Sequence, residues 1–100
     1  MNLEELEIIV IQCLRENLEL SGDPIPIITS STKPAHDFIG FDSLRTIEVL
    51  ISIEEKVGCE LPPEKIFSDK RFEDITVSSI ANAIYQIKKE AAPNEQIRDR

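Results

Sequence analysis

The 100-residue sequence contains few cysteines and histidines, the common metal ligands, and no long uninterrupted apolar run. Two cysteines and one histidine, His36, supply too few ligands for a structural zinc site. Cys13 falls on an apolar helical stripe and is expected to be a buried hydrophobe. No apolar stretch approaches the roughly 20 residues that a transmembrane helix needs, and residues 1–5 are acidic where a signal peptide would be basic. We therefore expect a cytoplasmic protein that binds no metal and does not insert into membranes.

Basic residues are also scarce. Eleven Lys and Arg residues against nineteen Asp and Glu residues give a formal net charge of −8. Such a polyanion repels phosphate backbones, because binding them requires Lys and Arg side chains to displace counterions. The charge therefore argues against nucleic acid as a partner and favours basic patches on other proteins. The hydrophobic residues, 41% of the chain with only five aromatics, suffice for one core in one domain.

Strand-like alternation of apolar and polar residues is absent, and three segments have helical spacing instead. The first spans residues 3–20, the second begins at Asp42 or Ser43 and runs to about Val57, and the third spans residues 77–89. A short helix is expected within residues 61–67, because proline suits the first position of a helix. The sequence predicts an all-α four-helix bundle of three long helices and one short one.

A long loop, residues 21–41, separates the first two long helices and contains three prolines. A loop of about twenty residues is uncommon inside a compact domain and usually carries function. We expect an ordered crossover with one short helical turn. The domain is predicted to span residues 1–90, followed by a flexible C-terminal tail at residues 91–100. The apolar residues expected to pack the loop onto the bundle are Ile25, Ile27, Ile28, Phe38 and Ile39.

The second long helix has two predicted faces. Four polar residues at three- and four-residue spacing, Arg45, Glu48, Ser52 and Glu55, are expected to form one outward stripe. The apolar residues predicted to mark the inner side are Leu44, Ile47, Leu50, Ile51 and Val57.

Residues 39–44 read Ile-Gly-Phe-Asp-Ser-Leu and lie where the loop enters this helix. Asp42 is a good N-cap and Leu44 is expected in the core, so helix initiation alone explains the tripeptide Asp-Ser-Leu. A helix start also carries roughly +0.5 elementary charge and unpaired backbone N–H groups, which would stabilise a phosphodiester attached to Ser43. No base for catalysis by Ser43 is evident nearby. The position therefore suits a post-translational phosphate attachment better than catalysis.

The surrounding pattern is similar to a known family. Gly-Phe-Asp-Ser-Leu at residues 40–44, followed by Ile-Glu-Val-Leu at residues 47–50, resembles the phosphopantetheine attachment motif of acyl carrier proteins. Residues 53–58 look like the end of the second helix of that family. Residues 61–67 are similar to its short third helix, and residues 72–81 to the entry to its fourth. The resemblance implies an acyl-carrier-like bundle.

The resemblance, detailed over residues 38–87, implies that Ser43 receives 4'-phosphopantetheine from coenzyme A through a separate phosphopantetheinyl transferase that needs magnesium. The thiol of this arm would hold acyl intermediates as thioesters, in a fatty acid, specialised lipid or polyketide pathway. The chain itself would be a monomer and no enzyme. It would dock onto basic patches of acyl-transferring or synthase enzymes. The expected docking residues are Asp42, Leu44, Arg45, Glu48 and Glu55.

Arg45 departs from the members that serve fatty acid synthesis, which usually have an acidic or apolar residue there. It is predicted either to pair with Glu48 one turn further on or to alter which partners dock. A peptidyl or aminoacyl carrier protein shares the fold and the arm and is one alternative. A non-carrier helical interaction module, with Ser43 only a helix-start residue, is another. A serine esterase would need a histidine base, usually downstream of the serine, whereas His36 lies upstream.

Overall fold

A computed structural model of the chain describes residues 1–67 and 71–98, with side chains described as far as residue 90. Five α-helices and one 3₁₀ turn make up this part of the chain, and it contains no strand. The predicted all-α bundle with a long loop between its first two long helices is confirmed. Across the described residues, no helix combines the length and apolarity that crossing a membrane requires. The helices are α1 (Leu3–Leu20), α2 (Pro34–Asp37), α3 (Ser43–Val57), α4 (Pro63–Ile66) and α5 (Val77–Arg98), with the 3₁₀ turn at Phe72–Asp74.

The N-terminus of α1 is fixed by a capping box. The Glu5 N–H donates to Asn2 Oδ1 at 2.8 Å, and the Asn2 N–H donates to Glu5 Oε1 at 2.9 Å. The helix that follows packs one apolar face against both α3 and α5. Burying a leucine or isoleucine side chain there contributes about 1.5–3 kcal/mol. The largest fully buried side chains of the core include Leu6, Leu14, Leu18, Ile53 and Ile84.

The short helical turn expected in the long loop is α2. The middle of the loop is tied to the start of α5, because the Val77 N–H donates to the Thr32 carbonyl at 3.0 Å and the Ser78 N–H to the Ser30 carbonyl at 2.9 Å. These bonds satisfy two of the N–H groups that every helix start leaves without an intrahelical acceptor. The loop is therefore attached to the last helix before it reaches α3.

Only two of the five apolar loop residues expected to pack onto the bundle are buried. Ile28 and Phe38 are buried, whereas Ile25, Ile27 and Ile39 are exposed, Ile39 by 96%. Phe38 packs edge-on against Phe41 with 5.6 Å between ring centroids. The backbone bonds to α5 hold the loop without help from the other three isoleucines, so they are free to face solvent.

The buried face of α3 also differs from the predicted one. Leu44 and Ile51 are 65% and 51% exposed, although they were expected on the inner side. The buried position near the helix start is taken by a threonine, because the Thr46 hydroxyl donates to the Asp42 carbonyl at 3.1 Å and so needs no water. The buried residues of α3 are Thr46, Val49, Leu50, Ile53 and Val57.

The last helix ends later than predicted, at Arg98 and not near Lys89. Residues 86–92 are mostly good helix formers, so the helix continues across the single hydrogen bond that Pro93 removes. Lys88 lies well inside the helix, and its Nζ donates to the Val57 carbonyl at 3.0 Å. The division at residue 90 and the flexibility of the tail stay predictions, and residues 99–100 lie outside the described part.

The two cysteines differ in burial, which makes their reactivity a test of the core. Burial raises the pKa of the Cys13 thiol to about 11, and it also raises the pKa of the half-buried Cys59. Because the thiolate is the reacting form, an alkylating reagent at about pH 8 is expected to modify Cys59 and spare Cys13 until the chain unfolds. Peptide mass spectrometry with and without denaturant measures this. Equal rates in the native protein would contradict the burial of Cys13.

Candidate functional site

The chain turns into α3 through three consecutive residues. Gly40 adopts a left-handed conformation with φ of 73°, which a side chain would strain. Phe41 then inserts its ring into the core. Asp42 caps the helix, with its Oδ1 accepting the Arg45 N–H at 3.0 Å. The left-handed turn at Gly40, the buried ring of Phe41 and the cap at Asp42 together make Ser43 the first residue of the helix.

Ser43 is exposed at the positive end of the helix dipole. Asp42 accepts the Arg45 N–H with its side-chain Oδ1 and the Thr46 N–H with its backbone carbonyl, the latter at 3.1 Å. The N–H groups of Ser43 and Leu44 have no acceptor within the helix. No acidic residue lies in the first turn of α3. The surroundings of the hydroxyl therefore favour a negatively charged substituent.

The side chain of Arg45 points toward α1, not outward as predicted. Its Nη1 lies 2.8 Å from Asp23 Oδ2 and its Nε donates to Asn17 Oδ1 at 3.0 Å. Its guanidinium also lies over the Phe41 ring, 5.2 Å from the centroid. The predicted pair with Glu48 does not form, because the guanidinium is already bound to Asn17 near the end of α1 and to Asp23 in the loop. Glu48 Oε1 instead accepts from Asn17 Nδ2 at 3.2 Å.

Four residues form one exposed line along α3, at spacings of four, three and four residues. We call Leu44, Glu48, Ile51 and Glu55 the α3 stripe. Three of them were predicted as docking residues, together with Asp42, which is also exposed. Ile51 was not among the predicted docking residues because it was assigned to the inner side, although its spacing from Leu44 and Glu55 places it on the same face.

A small apolar cavity lies beneath the site. It has space of about 20 Å³, which is close to what a single water molecule requires. An aliphatic chain could enter only if the helices moved apart. The cavity is lined by side chains of α1, α3, α5 and the intervening loops, among them Leu14, Val49, Leu50, Phe72 and Ile80.

His36, the base that an esterase would need, is engaged with its neighbour. It lies in α2, and its Nδ1 is 2.8 Å from Asp37 Oδ1. This contact lowers the pKa of the Asp37 carboxyl. In the part of the chain that the structure describes, no three His, Cys, Asp or Glu side chains are grouped so that they could hold a metal ion.

The fold, and a helix start that suits a phosphodiester, together define a carrier domain. Residues 9–84 match the family model described as the phosphopantetheine attachment site, so the chain belongs to the phosphopantetheine-binding carrier family. Comparison with curated proteins and with solved structures gives no match. Carrier domains of this family are not themselves catalytic. Their prosthetic group is covalently attached 4'-phosphopantetheine, and the exposed hydroxyl and free N–H groups at the start of α3 fit its phosphodiester.

Proposed function

We propose that this chain is an acyl carrier protein and that Ser43 is the attachment residue of its arm. The observation that carries the proposal is the exposed Ser43 at the start of α3, beside backbone N–H groups that have no acceptor within the helix. The Asp42 carboxylate next to it is engaged in capping the helix, which reduces its repulsion of a phosphodiester. The attachment position is thus supported by local geometry as well as by the motif.

The protein side chains have three tasks in this function. Ser43 supplies the oxygen that bonds to phosphorus, Asp42 and Phe41 fix the position of that oxygen, and the bundle keeps the arm on a rigid support. The thiol of the arm, when attached, holds the acyl group as a thioester. Tethering the intermediate raises its effective concentration at each successive enzyme. When the Ser43 oxygen bonds to phosphorus, the bond from that phosphorus to the 3',5'-ADP part of coenzyme A breaks and the hydroxyl proton passes to the transferase, so no other side chain of this chain needs to act as an acid or a base.

Acyl cargo is supported by the acidity of the chain, the form of the motif and the apolar lining of the cavity beneath the site. Aliphatic side chains such as Leu14 and Val49 would be favourable neighbours for a hydrocarbon chain and poor ones for a charged amino acid. Fatty acid, specialised lipid and polyketide pathways all supply such cargo.

The test is intact mass after incubation with coenzyme A, magnesium and a promiscuous phosphopantetheinyl transferase. The expected result is a gain of one phosphopantetheine, located on the peptide that contains Ser43. A protein left unmodified by several transferases would favour the helical interaction module instead. Loading with aminoacyl but not fatty acyl groups by matched transfer enzymes would favour the peptidyl carrier.

The α3 stripe is the proposed docking surface for partner enzymes with basic patches, and its charge gives a separate prediction. Replacing Glu55 by lysine is expected to raise the transferase KM for this carrier roughly tenfold, with kcat little changed. The effect should shrink as salt is added, because the attraction is screened. Glu60→Lys, an equal charge change in the exposed segment beyond α3, is the control. Equal effects of the two variants would show that only net charge matters.

A further inference from the structure

Four polar side chains join the loop, α1 and α3 in one chain of contacts next to the proposed attachment residue. We call them the Arg45 network. Asp23 in the loop pairs with Arg45 at 2.8 Å, and Arg45 Nε donates to the side-chain oxygen Oδ1 of Asn17 at 3.0 Å. The Asn17 amide nitrogen then donates to Glu48 at 3.2 Å. Both ends of the Asn17 amide are thus engaged, which fixes its orientation.

Arg45 is built into the domain and is not part of a solvated face. Its side chain is only 16% exposed and its guanidinium covers the Phe41 ring. Within the described residues its Nη2 is buried without a hydrogen-bond partner. Burying a guanidinium in this way costs solvation energy that its ion pair only partly returns, so the contacts are better explained by the geometry they impose than by stability.

The network constrains two parts of the surface at once. Through Asp23 it holds the beginning of the 21–41 loop against α1 and α3. Through Asn17 it holds the Glu48 carboxylate, which belongs to the α3 stripe. A long acidic side chain held in one position loses less conformational entropy when a partner binds it. Arg45 lies two residues after Ser43, so any enzyme that acts on Ser43 meets both parts together.

We infer that Arg45 is a positioning residue for the docking of enzymes at Ser43, acting through Asn17 on Glu48 and through Asp23 on the loop. The inference rests on the proposed function, since docking at Ser43 presupposes that Ser43 is modified. It differs from the predicted role of Arg45, in which the residue itself faced the partner. A transferase with a basic patch binds the Glu48 carboxylate, and Arg45 holds that carboxylate in position through Asn17.

The variant Arg45→Met keeps an unbranched apolar side chain of similar length to the aliphatic part of arginine and removes its charge and donors. It is expected to raise the transferase KM for the carrier roughly threefold to tenfold with kcat unchanged, because docking and not chemistry is affected. Arg45→Lys can still pair with Asp23 but lacks the planar fork that also reaches Asn17, so it should restore KM only in part. Lys56→Met is the matched control. It deletes another α3 cation that pairs with α1, through Glu16 at 3.6 Å, and should leave KM unchanged.

Two further measurements separate positioning from a structural effect. If Arg45 acts through Glu48, Arg45→Met should raise KM less in a Glu48→Gln background than in the wild type. In the unmodified protein, the NMR signals of the Asn17 side-chain amide should shift in both Arg45→Met and Glu48→Gln, whatever happens at Ser43. Circular dichroism melts confirm that each variant is folded at the assay temperature.

The outcomes separate the two proposals. A wild type that is modified normally, with unchanged KM in Arg45→Met, overturns the positioning role and leaves the proposed function intact. Asn17 signals that do not move in either variant overturn the network itself. If the Asn17 signals shift in the variants as expected but the wild type accepts no phosphopantetheine, the proposed function is overturned, and the docking role of Arg45 with it.

Discussion

Replacing Ser43 by alanine is expected to abolish attachment of 4'-phosphopantetheine while leaving the fold unchanged. The substitution removes the proposed attachment oxygen, so the gain in intact mass should disappear completely. Stability should change by less than about 0.5 kcal/mol, because the side chain is exposed and alanine is a good helix former. The cap that starts α3 comes from Asp42, which the substitution does not touch. Intact mass and a circular dichroism melt together measure both expectations.

Ser31→Ala is the matched control for this loss. Ser31 is also exposed, and its backbone N–H donates to Thr29 Oγ1 at 3.2 Å. This variant should accept the arm as the wild type does. If Ser43→Ala were still loaded, the attachment residue would lie elsewhere in the chain. If Ser43→Ala lost its helical circular dichroism, Ser43 would be needed for the fold, and the proposal that it is the attachment residue would lose its support.

The ends of the helices that position Ser43 could be predicted from the sequence because the signals for them are local. Asp42 accepts an N–H only three residues away, and Gly58 ends α3 in a left-handed conformation with φ of 77°. At the start of α5, the Ser79 N–H donates to Thr76 Oγ1 at 3.0 Å, again three residues apart. A cap and its partner lie within one turn, so residue type and spacing contain the needed information.

The orientation of α3 could not be predicted in the same way. Apolar spacing alone suggested a face that included Leu44 and Ile51, but burial of Thr46 depends on a hydrogen bond that spacing does not indicate. The resulting rotation moves two apolar residues to the surface. Those residues belong to the proposed docking surface, so the error in the core and the omission of Ile51 from the site have one cause.

The hydrogen-bond partners of Arg45 could not be predicted from the sequence for a related reason. Its acceptors, Asp23 and Asn17, lie 22 and 28 residues away in the chain. A helical rule considers only neighbours three or four residues away and therefore suggested Glu48. Which distant side chains meet is decided by how α1, the loop and α3 pack. The helix start at which Ser43 lies could therefore be predicted, whereas the long-range contacts of Arg45 could not.

Replacing Ile53 by alanine is expected to have the largest effect on stability that we predict for α3. The side chain is fully buried, and removing such a group from a packed core costs about 2–5 kcal/mol through lost burial and the cavity left behind. That is a large part of the roughly 5–15 kcal/mol by which small domains are stable. The melting temperature should fall by roughly 10–20 °C. A thermal melt followed by circular dichroism measures the change.

Ile51→Ala removes the same atoms two residues earlier on the same helix and serves as the matched control. Because Ile51 is half exposed, its truncation should cost less than about 0.5 kcal/mol. It belongs to the α3 stripe, however, so it should raise the KM of a docking enzyme, whereas Ile53→Ala should not do so at temperatures well below its melting point. The two variants thus distinguish a residue that packs the core, Ile53, from one that contributes to docking, Ile51. Equal loss of stability in both variants would contradict the buried face assigned to α3, and unchanged KM in Ile51→Ala would remove that residue from the docking surface.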